Sequence, residues 1–85
     1  NNADRALKAL AKREIQFDVI FLDPPYNKGL INEAISRIAE FNLLKENGII
    51  VCEFSHNEEI TIAPFQMIKR YHHGLTDTLL LEKGE

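Results

Sequence analysis

The sequence predicts an α/β fold, with two parallel strands, each following a helix, and an antiparallel strand pair at the end. Three observations carry this. Apolar residues recur at helical spacing in residues 3–14 and 29–41. Two runs, 17–23 and 49–54, are almost continuously apolar and do not alternate. The tail, 64–83, has the pattern of strand, glycine turn and strand. That order describes half of a doubly wound sheet with right-handed crossovers and an antiparallel edge.

The first helix places Ala3, Leu7, Leu10 and Ala11 at helical spacing, with Arg5, Lys8, Lys12 and Arg13 on other faces. Asn1 or Asn2 can cap its start. The run Phe17-Asp18-Val19-Ile20-Phe21-Leu22-Asp23 is rich in β-branched and aromatic residues. It has the composition of a strand covered on both faces. Pro24 and Pro25 end it, because each lacks an N–H and holds the preceding residue extended. The second helix gathers Leu30, Ile31, Ala34, Ile35 and Ile38 on one broad face. Asn47-Gly48 signals a turn before the second strand, Ile49-Ile50-Val51-Cys52-Glu53-Phe54. Residues 55–61 are polar and predict a loop. Strands 64–73 and 75–83 follow, with Gly74 in the turn.

The chain has 85 residues, enough for one small domain. A domain of this size buries only about 60–65% of its unfolded surface, so a thin core is expected. Composition is 45% hydrophobic and 27% charged, which argues against disorder. Lys plus Arg is 10 and Asp plus Glu is 13, a net charge of 10 − 13 = −3. The chain is therefore not a basic nucleic-acid module in its own right. A single cysteine, Cys52, excludes an intrachain disulfide and suggests a reducing, cytoplasmic setting. No apolar run approaches the roughly 18 residues of a membrane span, so no membrane partner is expected. The chain opens on Asn1 without a leader pattern or a Met, which suggests a piece of something longer.

The sharpest local feature is Asp23-Pro24-Pro25-Tyr26, directly after the first strand. Open α/β sheets bind ligands beyond the carboxyl ends of their strands. Successive prolines stiffen the loop and leave the Pro24 carbonyl free to accept a hydrogen bond. The Asp23 carboxylate is a second acceptor, and Tyr26 offers a flat face and a hydroxyl. Two acceptors and an aromatic face suit a planar group bearing an exocyclic NH2. The plainer alternative is a strand end, a proline turn and a local bond from Asp23.

These residues resemble the D/N-P-P-Y/F motif of S-adenosylmethionine-dependent amino methyltransferases. The stretches FDVIFLDPPYNKGLI and LLKENGIIVCE are similar to the RsmD family, which methylates the exocyclic N2 of a guanine in 16S ribosomal RNA. The resemblance covers nearly the whole chain and corresponds to the C-terminal half of such an enzyme. It implies a Rossmann-like methyltransferase sheet and a single partial domain, 1–85. It assigns Asp23, Pro24 and Tyr26 to catalysis: the first two hold the target amine, and Tyr26 stacks on the flipped base. Pro25, Asn27 and Lys28 are implied substrate contacts, and Asn2, Ala3 and Asp23 cofactor contacts. Asn27 and Lys28 have the plainer alternative of capping the next helix. The family often carries an acidic residue where Asn2 stands.

The family's glycine-rich cofactor loop has no counterpart here, since Gly29, Gly48, Gly74 and Gly84 are too scattered. The expectation is that these residues alone are inactive and that S-adenosylmethionine needs the other half. The implied partner is 16S rRNA or the assembling small ribosomal subunit. Rival readings are an amino methyltransferase acting on DNA or on protein glutamine, and a non-catalytic fragment that self-associates. Its first strand would leave an open apolar edge, a template for oligomerisation.

Other features have structural readings. His72 and His73, adjacent on a strand, point to opposite faces and would not chelate one ion together, so no metal is assigned. Cys52 is expected to be an inert core thiol. Glu53 can contact substrate or a neighbouring loop. Arg5, Lys8, Lys12 and Arg13 are expected to form a solvated face. Phe65 and Tyr71 are assigned to packing.

Overall fold

The computed structural model describes residues 2–23 and 30–84. Its elements are α1 (Asn2–Lys12), β1 (Phe17–Leu22), α2 (Leu30–Glu40), β2 (Leu44–Ser55), β3 (Phe65–His73) and β4 (Thr76–Lys83). They form one four-stranded sheet in the order β1-β2-β4-β3. β1 pairs parallel with β2, and the other two pairings are antiparallel. The predicted α/β fold is present, with its parallel pair and its antiparallel end.

Both helices end in the same way. Leu43 N–H reaches back to Ile38 O (3.1 Å), and Asn42 takes a left-handed φ of 52°. Ile15 N–H reaches Leu10 O (3.1 Å), and Glu14 has φ 56°. Such left-handed caps satisfy the last carbonyls of a helix and turn the chain sharply into the next strand. Inside α2, Glu33 and Arg37 form an i,i+4 ion pair at 2.9 Å.

α2 buries Ile31, Ile35 and Ile38. They meet Ile50, Cys52 and Phe54 of β2, and Leu79 and Leu81 of β4, in one core. Strand residues two apart share a face, so the helix-side face of the sheet is set by these positions. Leu43, Leu44 and Phe65 complete the buried set.

Two expectations change. Asn47-Gly48 does not separate elements but lies within β2. The signal still has a structural effect, because the β1–β2 register jumps there, from Phe17↔Leu44 to Val19↔Ile49. A Cβ on Gly48 would come within 2.6 Å of Leu44 Cδ1, so a larger residue here would displace the buried Leu44 side chain. The second change concerns β1, which is not covered on both faces. Ile20 and Leu22 are half-buried against the core, whereas Val19 is 61% and Phe21 57% exposed. Among the described residues the only helix packed closely on the sheet, α2, lies on the opposite face from Val19 and Phe21, and β1 stands at a sheet edge. Its composition therefore reports a strand made for burial, not one buried by this chain.

Candidate active site at the carboxyl edge of the sheet

β1 and β2 run parallel, with Leu22 opposite Cys52. Their carboxyl ends therefore lie on one edge of the sheet. Asp23 follows β1 there and is exposed. Glu53 is half-buried on the adjacent strand, and its register partner on β4 is Thr78. Pro24, Pro25, Tyr26, Asn27 and Lys28 lie outside the described residues. Asn2 and Ala3 open α1, and their side chains are likewise outside the description.

The same edge carries a polar cluster that no local motif announces. Asp77, 1% exposed, pairs with Phe54 on β2 and with His72 on β3. Its Oδ2 accepts from Arg70 Nε (2.6 Å) and Nη2 (2.5 Å). Its Oδ1 lies 2.7 Å from His72 Nδ1 and 3.0 Å from His56 Nδ1. The two imidazoles sit against each other, centroids 4.1 Å apart, and the Arg70 guanidinium lies 5.3 Å from the centre of the Phe54 ring. Hydrogen bonds from His72 foremost, and from His56 and Arg70, hold the Asp77 carboxyl well below the usual carboxylate range, against the opposing effect of burial. The backbone reinforces the junction, since His56 N–H donates to Leu75 O at 2.8 Å.

β1 and β4 flank β2, so the backbones bearing Asp23 and Asp77 lie about 10 Å apart. His72 faces Asp77, whereas His73 stacks with Tyr71 at 6.4 Å. Lys69 Nζ sits 5.1 Å from the centre of the same Tyr71 ring. The opposed directions of His72 and His73 follow the strand alternation. His56, Arg70 and Asp77 were not singled out as functional from the sequence. The available signal was Asp77 itself, an acid on the same alternating face as Leu79 and Leu81, where a charge needs partners.

The remaining candidates fall out simply. Cys52 is fully buried, and burial pushes its thiol up to about 12. Arg5, Lys8, Lys12 and Arg13 are all exposed. Phe65 is buried, and Tyr71 is partly exposed. No helix among the described residues is long and apolar enough to cross a membrane.

This mixed sheet with its flanking helices is part of a Rossmann-like fold of the S-adenosylmethionine-dependent methyltransferase type. The chain belongs to the family described as Conserved hypothetical protein 95, whose pattern matches residues 1–82. It is 39% identical over 85 residues to YlbH of Bacillus subtilis, named as a candidate rRNA methyltransferase, covering 98% of this chain and 46% of that protein. It is 36% identical over 67 residues to ribosomal RNA small subunit methyltransferase D of Haemophilus influenzae, covering 78% of this chain and 35% of that one. Among solved structures, a conserved hypothetical protein of Streptococcus pyogenes superposes with a TM-score of 0.79 at 32% identity, over 96% of this chain and 51% of the other. The chain thus spans about half the length, or less, of the relatives it matches.

Proposed function

We propose that the protein carrying this chain methylates the exocyclic N2 amine of a guanine in 16S rRNA, alone or in the assembling small subunit, in the cytoplasm. One observation supports this above the others: the Asp23 carboxylate, first residue of the D-P-P-Y motif, stands exposed at the carboxyl end of β1. The relatives named for rRNA methylation agree with it.

The donor set at this edge also suits the implied cofactor. Asp23, with Glu53 on the neighbouring strand, gives the edge negative charge, which favours a cationic sulfonium group. Bound S-adenosylmethionine supplies an electrophilic methyl group. Asp23, Asn2 and Ala3 are the residues of this chain assigned to hold it.

An aryl amine is a poor nucleophile because its lone pair is delocalised into the ring. Asp23 and the Pro24 carbonyl each accept one amino N–H. That favours a pyramidal nitrogen and frees its lone pair for in-line attack. The Asp23 anion also stabilises the positive charge that develops on nitrogen. The proton leaves after transfer, so Asp23 need not be a strong base. Tyr26 stacks on the base, Pro25 stiffens the loop, and Asn27 and Lys28 contact the substrate. Turning a paired base into such a site costs a few kcal/mol, so an unpaired guanine is favoured.

The test is transfer of labelled methyl by the intact protein to ribosomal RNA, DNA and protein, with Asp23→Ala in parallel. The expected result is label at guanine N2, with a single-turnover rate about 100-fold lower in the variant and little change in cofactor affinity. Label on DNA or on glutamine would replace the substrate assignment. An unchanged rate in the variant would remove Asp23 from the mechanism.

A further inference from the structure

We propose that His56, His72 and Asp77 form a three-ligand site for a borderline divalent transition-metal ion such as Zn2+. Their ligand atoms, two imidazole Nδ1 and one carboxylate oxygen, lie within 4.8 Å of one another. A tetrahedral ion with bonds of about 2.0–2.2 Å needs ligand atoms about 3.3–3.5 Å apart. The present separations of 2.7 and 3.0 Å to Asp77 Oδ1 reach the lower end of that range by opening about 0.6 and 0.3 Å. Two His and one carboxylate are the ligand types such ions take, with a further position left open.

The surroundings suit the role. Asp77 Oδ2 is already held by Arg70, which fixes the carboxylate and leaves Oδ1 toward the imidazoles. A ligating carboxylate is usually itself hydrogen-bonded, and Arg70 supplies that outer support. Arg70 is itself positioned against the Phe54 ring. His56 and His72 are about half exposed, which gives an ion a path in. On binding, the Nδ1 proton that each ring donates to Asp77 moves to Nε2 or leaves to solvent, which frees the Nδ1 lone pair for the ion. The ion would join three segments: the exit of β2 (His56), the end of β3 (His72) and the start of β4 (Asp77). This site is independent of the methyl-transfer reading and uses none of its residues.

The experiment is calorimetric titration of the metal-stripped, otherwise intact protein with Zn2+ alone, paired with thermal unfolding. One equivalent is expected to bind and to raise the unfolding temperature, because an ion that binds only the folded state stabilises it. Loss of an outer support typically weakens a metal about 10–100-fold, so His56→Ala and His72→Ala should each weaken binding by about 100-fold or more. His73→Ala, on the opposite face, should leave it unchanged. Co2+ in the unaltered protein reads the coordination directly. The visible spectrum of a four- or five-coordinate site is expected, without reliance on any variant. Absence of saturable Zn2+ binding, binding that survives both His56→Ala and His72→Ala, or an octahedral Co2+ spectrum would overturn the proposal.

Discussion

Glu14 ends α1 in a left-handed conformation, with φ 56°. That conformation costs an ordinary L-residue about 1–2 kcal/mol, and glycine relieves it at some cost in unfolded-chain entropy. Glu14→Gly should therefore stabilise the fold by about 0.5–1 kcal/mol, read as a higher urea midpoint with unchanged slope. Cys52 gives a pH-dependent case. Buried Cys52 keeps its proton up to about pH 12, whereas an unfolded thiol loses it near about 8.5. Between those values the native state binds the extra proton, so stability is full below about pH 8.5 and falls as pH rises. The slope from this one group cannot exceed about 1.4 kcal/mol per pH unit. Cys52→Ala should flatten that alkaline limb in unfolding curves taken from pH 8 to 11. The native thiol should also resist Ellman's reagent until the protein is unfolded.

At the scale of elements, Asn32 of α2 ties down the 56–64 connection. Asn32 Nδ2 donates to Glu59 O at 3.1 Å, and Asn32 Oδ1 accepts from Thr61 N–H at 2.7 Å. Asn32→Ala should cost about 1 kcal/mol, since both bonds are partly open to water. The more telling readout is amide exchange: the Thr61 N–H should exchange faster while the core amides of β2 and β4 keep their protection. The element order was legible because it rests on local patterns. The 3.6-residue period of α2 and the β-branched run of β1 are properties of neighbouring residues. The extent of β2 was not legible. Asn47-Gly48 carries the chemistry of a turn, but β1 pairs with β2 before and after it, at Leu44 and Ile49, which draws it into a strand as an irregularity.

For the whole molecule, the sheet has an apolar end. Val19 and Phe21 project from β1, the edge strand, more than half exposed. Such an edge presents free backbone groups beside apolar surface and favours pairing with another copy. The isolated chain should therefore self-associate, with light scattering giving a mass that rises with concentration. Phe21→Lys should shift it toward monomer, because a charged edge residue blocks strand addition. A monodisperse monomer at high concentration would rule this out.

The sequence by itself determined the α/β class, the succession of helices and strands, and the position of Asp23 at the end of a strand. Each of these depends on residues close together in the chain, where periodicity and proline chemistry act. The joining of His56, His72, Arg70 and Asp77 was decided only by the tertiary structure. Residues up to 21 positions apart meet there because β4 inserts between β2 and β3 in a particular register. Register is a long-range property, selected by which faces can be buried together, and no short window of sequence contains it.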